Sequence, residues 1–254
     1  MGTSFDAAAP PTVRIHYLGH ASFVLQFDDR LTVLTDYGSL NAWLEWGWDS
    51  PIYDIGDLVP DVMTYSHTHH ADHYDEERKP AGVRHVLAGA ESLSIDGLTI
   101  SPIPTSEQSL EERENTSYCF AYRGLRIVHL GDCQANIMHV ADDENRQYLQ
   151  KVLPAACDLV LMPIEGQSKF IPQAEAFLHL LQPRCVIPMH YWSDAYKEQF
   201  LAYLGEQNQE SGGHYRIERV QGADSVLPPV DSDAVQVLVL TPAAYQVSGL
   251  KSEG

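Results

Sequence analysis

Positive charge is scarce in this chain. Sixteen lysines and arginines stand against 35 aspartates and glutamates, a formal net charge of −19 over 254 residues. Such a surface repels phosphate backbones and anionic headgroups, which argues against nucleic-acid and membrane partners. The acidity reads as a solubility feature. Long apolar runs are also missing: none approaches the ~18 residues of a membrane-crossing helix. Met1 to Pro11 has neither the basic start nor the apolar core of a signal peptide. Cysteine is sparse. Cys119, Cys133, Cys157 and Cys185 form no CxxC pair, so reduced thiols and a cytoplasmic location are expected. Cys133, beside Asp132, reads as a small buried side chain. No phosphate-cradling loop, no GxGxxG after a strand and no GxSxG elbow is present, which removes the common nucleotide and serine-hydrolase chemistries.

What is present suits a folded α/β chain. The hydrophobic fraction of 44% supports a substantial core. Short strands are expected at 13–18, 22–27, 31–35, 61–66, 84–88, 98–103, 117–122 and 125–130. Turns fall at Asp28-Asp29 and Arg123-Gly124. The pattern then alternates: helix 143–152, strand 158–162, helix 172–181, strand 185–188, helix 194–204 capped by Ser193 or Asp194, and strands 215–220 and 234–240. A meander followed by alternating helix and strand predicts two sheets packed face to face with helices outside. Nothing forces a domain cut, so residues 1–254 are expected to form one domain with loose ends at 1–11 and 247–254.

The densest chemistry lies at His67-Thr68-His69-His70-Ala71-Asp72-His73, four histidines and an aspartate directly after the 61–66 strand. Imidazole and carboxylate suit Zn²⁺, Mn²⁺ and Fe²⁺. His67 and His69 are two apart, so an extended segment points both to one side. Asp72 and His73 follow a bend and can serve a second ion.

This run resembles the His-x-His-x-Asp-His signature of the metallo-β-lactamase superfamily. Val128 to Asp132 resembles the family's Gly-Asp strand end, and Val186 to Tyr191 resembles its last histidine motif. Tyr17 to Ser22 and Leu34 to Asp36 resemble the opening of a branch that includes ascorbate-6-phosphate lactonase and many uncharacterised hydrolases. The resemblance implies a four-layer αββα sandwich and a metal-dependent hydrolase acting through a metal-bound hydroxide. One or two ions are implied, Zn²⁺ first with Mn²⁺ or Fe²⁺ as alternatives. His67 and His69 would hold the first ion; Asp72, His73, Asp132 and His190 would complete the second. Asp72 would also orient the hydroxide or accept a proton. The substrate class is a small-molecule ester, lactone, amide or phosphoester.

Two departures from the family pattern stand out. Two residues, His70 and Ala71, separate His69 from Asp72 where the family has one. Either a one-residue bulge follows His69, the reading preferred here, or His70 replaces His69. The family's third histidine is also missing: the stretch Ile103 to Gln108 holds none. Glu107 or His70 fills the gap, or the first site is weak. That gap motivates the competing class, a non-catalytic binding protein with a degraded site. His20 resembles a family position near the ions and either lines the site or does not, and Asp36, at a strand end, either orients a ligand histidine or makes a turn. Among the other histidines, His129 is expected behind the site, and His16, His85, His139, His179 and His214 elsewhere. Glu165 follows a strand in a loop resembling one that faces the family's site. Trp43, Trp46 and Trp48 either stack a substrate ring, fill the core or meet a second subunit. A homo-oligomer is left open.

Overall fold

Asp28 and Asp29 sit at φ 48° and 53°, the left-handed region that aspartate tolerates. They turn β2 (Ser22–Phe27) into β3 (Leu31–Thr35), and both strands pair antiparallel next to β1 (Val13–Gly19). A parallel pair follows, β4 (Val62–Thr64) on β3 and β5 (His85–Leu87) on β4. With β13 (Asp224–Val226) on the free side of β1, the first sheet has the order β13-β1-β2-β3-β4-β5. The computed structural model describes residues 10–42, 44, 47–107, 112–135, 142–164, 171–228 and 233–246. Trp43, Trp46, His139, Glu165 and most of both termini lie outside these residues.

The second sheet begins as a meander of β6 (Leu93–Ile95), β7 (Leu98–Thr105), β8 (Asn115–Tyr122) and β9 (Leu125–His129). Arg123 and Gly124, at φ 47° and 92°, form the two-residue turn between β8 and β9. Parallel pairing then takes over and needs crossovers. Helix α1 (Asp142–Val152) leads from β9 to β10 (Leu159–Pro163), and α2 (Ile171–Leu181) leads on to β11 (Cys185–Met189). Helix α3 (Asp194–Ser211) precedes β12 (Tyr215–Arg219), and β14 (Val235–Val239) lies between β12 and β11. Every residue of β10 and β11 is buried, which explains their unbroken apolar runs.

One large core fills the space between the sheets and under the helices, with Phe23, Leu25, Phe120, Ile127, Leu161 and Phe177 all fully buried. The helices pack on the eight-stranded sheet, α2 against β10 and α3 against β12. The other outer face is covered differently. Tyr37, Ile52, Ile55 and Leu58 of an irregular segment pack on Leu18, Val24, Leu34 and Met63 of the six-stranded sheet. The expected two-sheet α/β sandwich is present, and this outer layer is irregular chain among the described residues. No helix among them is long and apolar enough to cross a membrane.

Three details depart from the sequence expectation. β6 and β13 are three-residue edge strands, too short for a period to be read from them. β7 runs through Pro102 and Pro104, which pair only with β8 because β6 reaches no further than Ile100. α3 continues past Leu204 to Ser211 and stops where Gly212 takes φ 85°. Its Ser193 N-cap makes no side-chain capping bond.

Candidate metal centre

Six strands bring their carboxyl ends to one edge of the sandwich. His20 follows β1, Asp36 follows β3, the run 66–73 follows β4, Glu107 follows β7, Asp132 follows β9 and His190 follows β11. His20, Asp36 and His190 have φ 50°, 39° and 51°, a conformation non-glycine residues rarely adopt. The sharp bend after each strand turns its side chain into the centre. Backbone bonds lock the bends together: His190 N–H donates to His20 O at 2.9 Å, and Asp36 N–H to Thr64 O at 2.9 Å.

The deeper group holds His20, Asp72, His73 and His190, all buried. His73 Nδ1 donates to Asp36 Oδ2 at 2.9 Å, which leaves Nε2 as the lone-pair nitrogen. That Nε2 lies 3.0 Å from His190 Nε2 and 3.6 Å from Asp72 Oδ2. Asp132 Oδ1 lies 3.7 Å from His190 Nε2. His20 Nε2 donates to Asp72 Oδ2 at 3.0 Å, while its Nδ1 accepts from Ser50 Oγ at 3.2 Å. The imidazole of His20 thus grips Asp72 through a hydrogen bond.

The outer group is built on His67. One donor from each of His67, His70, Glu107 and Asp132 falls within 4.8 Å of the rest; His67, His69 and His70 form a second such set. His69 Nε2 stands 3.3 Å from one oxygen of Glu107, and His70 Nδ1 stands 4.0 Å from the other. His67 is buried, whereas the side chains of His69 and His70 are 44% and 43% exposed.

These donors fit a metal. Both ring nitrogens of His67 are buried with no hydrogen-bond partner among the described residues, a costly state unless a cation takes a lone pair. The Nε2 atoms of His73 and His190 face each other at 3.0 Å, where they share one proton or hold one ion together. The spacings of 3.0–3.7 Å match donors around one ion, since bonds of about 2.0–2.2 Å in a tetrahedron put ligands roughly 3.4 Å apart.

The electrostatics agree. Burial pushes His20 down to about 3, helped by His190, so its ring is neutral. Burial and the neighbouring His73 likewise hold His67 well below the usual imidazole range. Burial would raise Asp72, but the charge of His73 and the His20 hydrogen bond hold its carboxyl far below normal. Burial would lower His73, yet Asp72 and Asp36 raise it to about 9. A proton and a cation compete for that ring.

The structure brings His20, His67, His69, His70, Asp72, His73, Glu107, Asp132 and His190 together at one place. Asp36 lies behind His73 and accepts Ser66 N–H at 2.6 Å and Ser66 Oγ–H at 2.7 Å. His129 stands behind the centre: its Nε2 donates to Ala21 O at 2.8 Å, and its Nδ1 accepts Gly131 N–H at 3.2 Å. His16 is buried on Asp224 and Ala243 O, and His179 and His214 are exposed. Ser50, Ser66 and Asn115 were not legible as site residues. Asn115 Oδ1 accepts Asp132 N–H at 2.9 Å, and its amide donates to Leu130 O at 3.0 Å. A lone serine or asparagine in a loop or strand carries no spacing signal. Trp48, two residues before Ser50, Trp192, two after His190, and Tyr196 form an aromatic group, with Trp48 and Trp192 centroids 4.9 Å apart.

Two packed sheets with a histidine–carboxylate centre at converging strand ends define the class: metal-dependent hydrolases of metallo-β-lactamase architecture. The pattern of the family described as "Beta-lactamase superfamily domain" matches residues 14–190, and the chain belongs to that superfamily. A UPF0173 metal-dependent hydrolase of Pyrococcus abyssi is 24% identical over 226 residues, 77% of this chain and 93% of the relative. One from Thermococcus onnurineus is 26% identical with the same coverage. A Thermotoga maritima structure assigned to the Zn-dependent hydrolases of the metallo-beta-lactamase superfamily overlays with a TM-score of 0.58. It is 20% identical and covers 90% of this chain and 100% of its own. CmlA, a diiron beta-hydroxylase from Streptomyces venezuelae, overlays at 0.56 with 14% identity, covering 86% of this chain and 54% of its own. Fold alone therefore does not choose the reaction.

Proposed function

We propose that this chain, working as one cytoplasmic domain, is a two-ion hydrolase of small-molecule esters, lactones, amides or phosphoesters. The observation that carries the reading is the buried His67, whose two ring nitrogens have no hydrogen-bond partner among the described residues, beside the facing nitrogens of His73 and His190. His67 with His69 or His70 would hold the first ion, and Asp72, His73, Asp132 and His190 the second. Zn²⁺ suits the imidazoles, and Mn²⁺ or Fe²⁺ suits the carboxylates. When bound, such a pair supplies a nucleophile from water at neutral pH and polarises the attacked oxygen.

The chain's own residues set the geometry. Asp36 fixes the tautomer of His73, and His20 fixes Asp72. A carboxylate held far below its normal range suits Asp72 to orienting the attacking water rather than storing its proton. The half-buried rings of Trp48 and Trp192 give a small substrate an apolar surface beside the centre. The opening motifs that resemble the ascorbate-6-phosphate lactonase branch are the ground for keeping lactones and phosphoesters in the substrate set. The net charge of −19 disfavours nucleic acid and anionic membranes as partners.

The test is metal analysis of protein purified without chelator, followed by a panel of chromogenic esters, lactones and phosphodiesters. Bound metal and hydrolysis that stops on chelation and returns with Zn²⁺ or Mn²⁺ are expected. Metal-free protein with no hydrolysis on any substrate would favour the alternative, a binding protein with a degraded site.

A further inference from the structure

Resting on that two-ion reading, we propose that His70 supplies the second histidine of the first ion's site and that Glu107 takes the place of the missing third. The added carboxylate shifts that position toward Mn²⁺ and Fe²⁺ relative to an all-imidazole site.

Geometry selects the ligands. An ion that touches the bridging Asp132 must draw its other donors from the set that lies around Asp132. That set is His67, His70 and Glu107; His69 lies 3.3 Å from Glu107, but its own set, with His67 and His70, does not include Asp132. The sequence spacing agrees. His70-Ala71-Asp72-His73 keeps the His-x-Asp-His half of the signature, so the extra residue lies between His67 and His70. Backbone bonds show the same break: His73 N–H and Tyr74 N–H both donate to His70 O, at 3.3 and 3.2 Å, so a tight turn opens at His70.

Electrostatics calls for the cation. Glu107 and Asp132 are both 6% exposed and present carboxylate oxygens within 4.8 Å of each other. Two buried carboxylates at that distance are relieved by a cation held between them or by a shared proton, and the histidine donors around them suit the cation. His67, 4% exposed with both ring nitrogens unpartnered among the described residues, belongs to the same set. Glu107 is also firmly placed. Ser106, next in chain, accepts Gln134 N–H on its carbonyl at 2.9 Å and an Arg113 N–H on its hydroxyl at 3.1 Å.

Chemistry gives the consequence. Imidazole favours zinc, and carboxylate suits manganese and other oxygen-seeking ions. Exchanging one imidazole for a carboxylate narrows the preference for zinc, and the extra negative charge stabilises a higher-charged ion. The second position keeps His73 and His190 and is left unchanged.

The experiment loads wild type, Glu107→Gln, Glu107→His, His69→Ala and His70→Ala with ZnCl₂ and MnCl₂, singly and in competition. Native mass spectrometry counts ions, EPR reports Mn²⁺ pairs, and circular dichroism confirms folding. Wild type should bind two ions and give a coupled Mn²⁺ pair. Glu107→Gln and His70→Ala should weaken one ion by at least the ~10–100-fold that loss of an outer partner costs, and leave an isolated Mn²⁺ spectrum. His69→Ala should keep the pair. Glu107→His should restore two ions while raising the zinc-to-manganese ratio several-fold. A coupled pair of unchanged affinity in Glu107→Gln, or an unchanged ratio in Glu107→His, overturns this proposal and leaves the hydrolase reading standing. No ion in wild type overturns both.

Discussion

His73 donates its Nδ1–H to Asp36 Oδ2 across 2.9 Å, and that bond decides which nitrogen of His73 faces the centre. Asp36 is 1% exposed and accepts three hydrogen bonds, two of them from Ser66. In Asp36→Asn an NH₂ group replaces one accepting oxygen and meets donors. The second ion should bind about 10–100-fold more weakly, and the metal-free protein should lose about 1–3 kcal/mol from the broken buried network. Titration calorimetry and urea unfolding measure the two effects. Unchanged second-ion affinity would show that Asp36 does not position His73.

Much of this centre was legible from residue types and order. His67 to His73, Asp132 and His190 stood out because metal donors clustered after strand-like runs, and the structure brings them to one edge. The parallel strands β10 and β11 were readable because burial on both faces writes a continuous apolar run. Other parts left no such trace. The donor set around Asp132 depends on how the chain turns at His70, and a run of adjacent histidines admits two registers, a bulge after His69 or an extra residue before His70. Ser50 meets His20 across thirty positions of irregular chain, where no periodicity records the contact. The irregular cover of the six-stranded sheet was unreadable for the same reason. Tyr37, Ile52 and Ile55 come from chain that forms neither helix nor strand, so no regular element records their burial.

Asp132 should matter to both ions at once. It reaches His190 in the deeper group and belongs to the set of His67, His70 and Glu107 in the outer one. Asp132→Ala should therefore lower total metal content and reduce turnover by orders of magnitude. Removing a ligand of one ion alone should spare the other. Native mass spectrometry of Asp132→Ala with two ions bound and normal hydrolysis would displace Asp132 from the bridging role.

A surface carboxylate supplies a pH prediction independent of metal. Asp28 accepts Thr12 N–H at 2.7 Å, Tyr122 O–H at 2.8 Å and Arg123 at 2.6 Å, tying the β2–β3 turn to the β8–β9 turn of the other sheet. These bonds, that from Thr12 first, hold its carboxyl below the usual aspartate value. A depressed folded pKa means the stabilisation is present above the unfolded value and is lost as pH falls through the folded one. Asp28→Asn should thus lower the melting temperature at pH 7. The gap to wild type should close as pH drops below the ordinary aspartate range. An equal gap at pH 7 and at pH 2 would show that the ion pair and its hydrogen bonds do not link the sheets.

Gly38 tests whether the centre depends on close backbone packing as well as on its ligands. A Cβ there would lie 2.3 Å from the backbone carbon and oxygen of Asp72 and 2.4 Å from Ala71 O, too close for any rotamer change to relieve. Its φ is outside the left-handed region, so alanine would meet the neighbouring loop rather than backbone strain. The loop is pinned on the same side, because Ser39 N–H donates to Ala71 O at 2.6 Å and Arg78 donates to Gly38 O. Gly38→Ala must push Asp72 away from His20 and His73, with an overpacking cost of about 1–3 kcal/mol. Second-ion affinity and turnover should fall together, although no ligand has been changed. Gly205→Ala is the control. Gly205 lies in α3 with open space around its Cβ position, so alanine there should stabilise the chain by about 0.5–1 kcal/mol and leave metal binding alone. A Gly38→Ala protein with full metal content and normal turnover would mean that the 70–73 loop yields freely, and that its donors owe their placement to the ions rather than to the fold.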